Sequence, residues 1–250
     1  MARIVKEEEF AARRNKILAV AQRLVYTKGY EQIAIQDILD ELHISKGAFY
    51  HYFGSKMALL EALIEKMKEE ALQLIIPIVE DPRLPTLEKI QRFFDTAARW
   101  KTAHKTYILS LLRVWYADEN AIIRQKVQVA LIKQTTPLLT GIIRQGIQEG
   151  ILNTPYPDQV SEIVIFLLQS LGDAFVPLLL TGEPRGDELG RAEEIFAAYT
   201  DALERVLGAP KGSLHLLDAE TLQEWLPAST QSQSRERSAE HETISTPGLA

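Results

Sequence analysis

Lys46, Gly47, Tyr50 and His51 are the residues whose types and spacing most clearly offer chemistry. On a helix opened by Ser45 and advanced at ~100° per residue they fall within one arc of ~140°. The arc presents a cation, a backbone that a ligand can approach closely, a phenol and an imidazole. That is the equipment for a polyanionic groove. Lys46, at the helix start, reaches a base edge or a phosphate. Tyr50 can donate to a phosphate oxygen while its ring packs on sugar or a thymine methyl, and His51 can donate to an acceptor. The amino end of the helix itself favours an anion. Lys56, at the start of the next helix, can hold a further phosphate. Phe49, Tyr52 and Phe53 fall on the opposite side, so that Phe49 and Phe53 can pack on the two preceding helices. Spacing alone leaves a second reading open, because any small helical subdomain has a polar surface.

Other chemistry finds little support. The five histidines (His43, His51, His104, His215 and His241) are scattered, without the HExxH spacing of a metal site, and no Walker loop or dinucleotide glycine pattern occurs. The sequence has no cysteine, which excludes disulfides, Cys-ligated zinc, iron–sulfur clusters and a thiol nucleophile. Acidic pairs lie on charged helix faces, which are usually only solvated. The expectation is a protein that is not an enzyme and carries neither cofactor nor metal.

The elements that must hold the arc read as helices throughout. Ile17, Ala21, Leu24 and Val25 recur with helical spacing between Glu8 and Thr27, and Gly29 follows the last turn. Ile35, Ile38, Leu39 and Leu42 define a short second helix. His43-Ile44 leaves room only for a tight turn, and Ser45 caps a third helix through about Tyr52. Further helices are expected over 56–79, with Pro77 ending or distorting the run, then over 87–103, 105–117, 121–149 (kinked or split near Pro137), 161–180 and 188–207. A weaker piece follows over 219–226. No alternating strand pattern of useful length and no internal repeat is present, so the fold class expected is all-α. The charge of −6 is unevenly placed: residues 1–56 hold nine Lys/Arg and seven Asp/Glu, a net of +2, which leaves −8 for the remainder. A mildly basic head on an acidic body suits a protein that touches nucleic acid only with its head.

The segment from Gly29 to Lys56 resembles the TetR family of bacterial transcriptional regulators. The resemblance rests on Gly29-Tyr30, on Ile35 and Ile38, and on the run Ile44-Ser45-Lys46-Gly47-Ala48-Phe49-Tyr50-His51-Tyr52-Phe53 followed by Lys56. It covers about 50 of the 250 residues. It implies that Lys46, Ala48, Tyr50 and His51 face the DNA groove, that Gly47 and Tyr52 lie close to the DNA backbone, and that Lys56 meets a phosphate. Two positions depart from the family pattern. Ala34 stands where a Ser or Thr usually caps helix two and touches phosphate, a loss of ~1 kcal/mol that something must offset; Gln36 is the candidate for the missing phosphate contact. His43 stands at a turn position usually held by Gly and must accept a left-handed backbone.

A single helix-turn-helix head reads few base pairs, so a dimer on a near-palindromic operator is expected. The resemblance assigns pairing to the helices at about 161–180 and 188–207. The first is apolar nearly all round (Ile163 to Leu168, Leu171), and such a helix must be covered on most sides. The resemblance further implies a small-molecule effector, hydrophobic or aromatic, in a pocket among the middle helices, where Phe93, Phe94, Trp100, His104, Tyr107, Arg113, Trp115 and Tyr116 are dense. Aromatics at this spacing serve equally as core. The expected organisation is a DNA-binding head at 1–55, an effector-binding and dimerisation body at 56–208 and an extension at 209–250, mostly disordered after 227. Repression is expected over activation by resemblance. The alternative is a helical pairing or ligand-binding module that has lost DNA recognition. The absence of a visible signal peptide and the placement of Asp173 inside the most apolar stretch argue for a cytoplasmic protein without a membrane span.

Overall fold

The computed structural model describes residues 2–180 and 187–226, with side chains from residue 7 onward. Among the described residues it is all-α: α1 (Ala2–Lys28), α2 (Ile35–Leu42), α3 (Lys46–Tyr52), α4 (Lys56–Glu80), α5 (Thr86–Ala103), α6 (Lys105–Trp115), a short 3-10 turn (Asp118–Asn120), α7 (Ala121–Gln148), α8 (Pro157–Leu180), α9 (Glu188–Leu207) and α10 (Ala219–Trp225). Residues 181–186, and the end of the extension, expected to be mostly disordered after 227, lie outside the described residues.

Three apolar clusters hold these helices. The first joins α1, α2 and α3 to the first turns of α4 through Ile17, Ala21, Val25, Ile38, Phe49, Phe53, Leu60 and Leu63, and takes in Tyr107 and Leu111 of α6. The head therefore shares its core with α4 and α6 and is not a bead on a tether. The second cluster joins α4, α5, α7, α8 and α9, with Ile75, Ile90, Ile143, Val164 and Leu203 near its centre. The third gathers Ile108, Phe175, Leu178 and Ala192 around Leu222 and Trp225 of α10 and Leu226, which follows it.

Prolines do less to the helices than their sequence positions suggest. Pro77, Pro137 and Pro177 all sit within continuous helices. α4 runs three residues past Pro77, and buried Lys89 donates Nζ to the Val79 carbonyl at 2.8 Å, satisfying an end that the helix cannot satisfy itself. α7 continues through Pro137 without a split. α8 begins at Pro157, one turn before the Ser161 expected from sequence; a proline at the first helical position loses no hydrogen bond. Ser161 is an interior residue whose hydroxyl donates to Pro157 O at 2.6 Å.

By length and composition α8 could cross a membrane. Here one face packs on α7 and α9, and Ile163 (44% exposed) and Phe166 (54% exposed) stand out on the other. After α9 the chain turns at Gly208, φ +60°, and runs back as a strap to α10. The buried carboxylate of Glu204 accepts the Gly212 and Leu214 amides, both at 3.0 Å, and so fixes the strap.

Candidate nucleic-acid interface

Helix α3 is short, with seven residues, so its position depends on its caps and its buried side. Ser45 accepts from the Ala48 amide at 3.1 Å, and the Phe53 amide closes on Phe49 O at 3.0 Å. Phe49 is 0% and Phe53 2% exposed, with rings 5.8 Å apart. Burying two aromatics on one side fixes the rotation of the helix about its axis. Lys46, Gly47, Tyr50 and His51 then face solvent together, and Ala48 and Tyr52 are half-buried at the edges. A Cβ at Gly47 would meet only Ser45 Oγ, at 3.9 Å, so the protein itself tolerates a side chain there. Glycine leaves the exposed backbone there uncovered by a side chain.

Tyr50 is 42% exposed, its ring edge-on to Phe49 at 5.5 Å. The phenol therefore projects from a fixed base. His51 and Tyr52 are propped by Phe10 of α1, with ring centroids at 5.4 and 4.8 Å. Phe10 escaped the sequence reading. Its signal was present: it lies seven residues before Ile17 and eleven before Ala21, further up the same stripe. Arg14, four residues on, places its guanidinium 4.9 Å from the Phe53 ring centre.

Lys56, at the start of α4, is held by Tyr30. Its ammonium stands 4.9 Å over the Tyr30 ring, and buried Tyr30 donates its hydroxyl to Lys56 O at 2.8 Å. Burial pushes the Tyr30 phenol well above its ordinary pKa, so it remains a donor.

The turn between α2 and α3 takes the left-handed conformation at His43, φ 52° and ψ 44°. The missing cap at Ala34 is offset from the other side: Asp37 accepts the Ala34 amide at 2.7 Å, which is the reciprocal half of a capping box. Asp37 also pairs with Lys28 of α1 at 2.9 Å, and Arg23 pairs with Glu41, so two ion pairs tie α2 to α1. Gln36 is exposed and donates to Asp40 at 2.6 Å. It must leave that partner to meet a phosphate.

The Lys28 ion pair and the Ala34 amide hold the Asp37 carboxyl below the usual carboxylate range. A lowered folded-state pKa contributes stability that is present above the unfolded value of about 4 and disappears as pH falls through the folded value. The stability gap between the wild-type head and Asp37→Asn is accordingly expected at neutral pH and should close below about pH 4. Urea titrations of both proteins across that range check this. A gap independent of pH would mean that shape, not charge, is what Asp37 contributes.

The aromatic set of the body does not line one space. Phe93 and Phe94 belong to the α5–α7–α9 core. Trp100 and His104 stack on each other at 4.5 Å, and His104 Nδ1 lies 2.7 Å from Trp100 O. Tyr107 is buried and stacks on Tyr26 of α1 at 4.6 Å, joining head to body. Arg113 is exposed. Trp115 lies at the edge of the head cluster, its carbonyl accepting from Arg124 at 2.7 Å. Tyr116 donates to Asp173 of α8 at 2.7 Å. The open groove of about 500 Å³ lies elsewhere, between α7 and α8, lined by Thr136, Thr140, Arg144, Asp158 and Glu162 among others.

Comparison with known proteins agrees with this architecture. Residues 17–63 match the family of bacterial regulatory proteins of the tetR type, and residues 113–174 match a tetracyclin repressor-like C-terminal domain. The chain is 33% identical over 92 residues to an HTH-type transcriptional regulator in the lacX 3′ region of Lactococcus lactis, covering 35% of this chain and 47% of the relative. It is 29% identical over 140 residues to the HTH-type transcriptional regulator EthR of Mycolicibacterium smegmatis, covering 49% and 64%. The matches thus span about half to two thirds of these relatives. Among solved structures, a transcriptional regulator from Cytophaga hutchinsonii superposes with a TM-score of 0.58 at 16% identity, covering 77% of this chain and 97% of the other. A TetR-family regulator from Pectobacterium atrosepticum superposes with a TM-score of 0.56 at 17% identity, covering 82% and 98%. The head, the helical body and both family matches coincide, and the chain belongs to the TetR family of bacterial transcriptional regulators.

Proposed function

We propose that this protein is a cytoplasmic repressor that binds a near-palindromic operator as a homodimer and releases it when a small, apolar or aromatic molecule binds the body. The observation that carries the reading is the exposed face of α3. Lys46, Gly47, Tyr50 and His51 face outward together because Phe49 and Phe53 are buried behind them. Lys46, Ala48, Tyr50 and His51 read the groove. Ser45, Gly47, Tyr52 and Lys56 follow the phosphate backbone, with Gln36 as a further contact from α2. In this reading the unit at 1–55 carries DNA contact and the unit at 56–208 carries pairing and effector control.

Pairing is assigned to α8 and α9. Ile163 and Phe166 of α8 are exposed, and α9 carries the small exposed side chains Ala197 and Ala198. An apolar stripe of this kind on a surface helix is normally covered by a partner. A second copy laid on the same face makes a four-helix bundle and sets two heads at a fixed spacing. An effector acts only if it favours one spacing over another.

The reading is tested by selecting bound fragments from random duplex DNA and titrating the enriched sequence at two salt concentrations. A near-palindrome whose affinity falls as salt rises is the expected result. Folded protein that enriches no sequence refutes it and leaves the pairing or ligand-binding module. Tyr50→Ala is expected to lower operator affinity by about 1–3 kcal/mol and to leave dimerisation unchanged. Equal losses of fold and of DNA binding would make Tyr50 a packing residue instead.

A further inference from the structure

Helix α10 has seven residues, below the length at which a helix holds itself in water. It is held by burial of Leu222, Trp225 and Leu226 among Ile108 of α6, Phe175 and Leu178 of α8 and Ala192 of α9. The strap that precedes it is fixed differently. Glu204 accepts the Gly212 and Leu214 amides. Gln91 of α5 donates to His215 O at 3.0 Å and accepts the His215 amide at 3.2 Å. Polar anchoring of the strap therefore ends at His215. Beyond it, the segment is an arm whose far end is kept down chiefly by three apolar side chains.

The polar contacts that α10 does make fall on one place. Trp225 donates Nε1–H to Thr102 Oγ1 at 2.9 Å, and Lys105 donates to the Glu224 carbonyl. Thr102 and Lys105 flank the corner between α5 and α6. His104, within that corner, is stacked on Trp100, and Tyr107, two residues beyond Lys105, is stacked on Tyr26 at the base of the head. The corner touches α10 on one side and the head on the other.

We propose that the cleft filled by α10 is an exchangeable binding site for a flat, apolar aromatic compound with one hydrogen-bond donor, and that such a compound displaces α10 and loosens the α5–α6 corner beneath the head. The class of ligand is read from the present occupant. Trp225 presents an indole ring to aliphatic and phenylalanine side chains and an N–H to Thr102 Oγ1. A competitor must bring the same two features. Short helices held by local apolar contacts open at far lower cost than the interior of a long packed helix. Displacement needs only that the ligand binds the vacated cleft and not the filled one. This deepens the effector-controlled reading above by giving the effector a location and a class.

Hydrogen exchange on the full chain, with indole as the probe, tests the proposal. Without indole, the amides of residues 221–226 should exchange at least about 100-fold faster than those of 203–207 in α9. Rising indole should accelerate residues 221–226 by at least about tenfold more and leave α9 unchanged, because a competitor raises the open population. Thr102→Val, which keeps shape and removes the acceptor from the seated Trp225, should speed the exchange of residues 221–226 about fivefold without indole. Residues 221–226 protected as strongly as α9, or exchange that indole leaves unchanged or slows, overturns the proposal. The readout needs no DNA. Exchange as expected with no operator binding removes the regulator reading and spares this site; operator binding with no acceleration removes this site alone.

Discussion

Phe49→Ala is expected to destabilise the head by about 3–5 kcal/mol, the usual cost of emptying an aromatic site in a core that cannot collapse into the space. Phe49 is fully buried between α1, α2 and the start of α4, in contact with Phe53. Its ring also supports that of Tyr50. Removing it costs apolar contact and releases the rotation of α3, so Lys46, Gly47, Tyr50 and His51 no longer share a direction. Operator binding should fall below detection even at temperatures where most of the body remains helical. The comparison with Tyr50→Ala, one residue on, is the informative one. Both variants lose DNA affinity, but only the Phe49 variant should lose stability in urea titrations at a fixed protomer concentration. A Phe49 variant as stable as wild type would mean that α3 is not packed as described.

Gly208→Ala is expected to cost about 3 kcal/mol, made up of about 1–2 for a left-handed backbone with a side chain and about as much again for displaced neighbours. Gly208 has φ +60°, and a Cβ there would stand 2.2 Å from Asn153 O. The obstacle is backbone, which cannot rotate away. The Asn153 amide donates to Leu207 O at 3.1 Å, so the α7–α8 loop and the end of α9 are joined where the methyl would intrude. The melting temperature should drop by roughly 6–12 °C for a chain of this size. Gly212, also at positive φ but with no neighbour within 4 Å of where a methyl would stand, is the control: Gly212→Ala should show only the smaller left-handed cost of about 1–2 kcal/mol. Equal losses at both positions would show that φ alone sets the effect and that the Asn153 contact carries no weight.

The sequence by itself determined the helical class, most element boundaries and the two sides of α3. These follow from rules acting within a few residues. Apolar spacing of three and four put Ile38, Leu39, Phe49 and Phe53 inside. Ser45 and Ser55 cap the helices that they precede, since an unsatisfied amide lies within reach of each hydroxyl. His43 takes the left-handed turn because the chain has one residue in which to reverse. Tertiary structure alone decided which distant segments meet. Phe10 under His51 and Tyr52, Tyr26 on Tyr107, Glu204 on the strap and Trp225 on Thr102 join residues 8 to 123 positions apart. Local periodicity says that a side chain is buried but not against what. The aromatics of α5 and α6 show the limit. Their spacing could not distinguish a shared pocket from separate cores, because each helix offers the same stripe to either; only the packing of α1, α8 and α10 around them sends Phe93, Trp100 and Tyr107 into three different clusters.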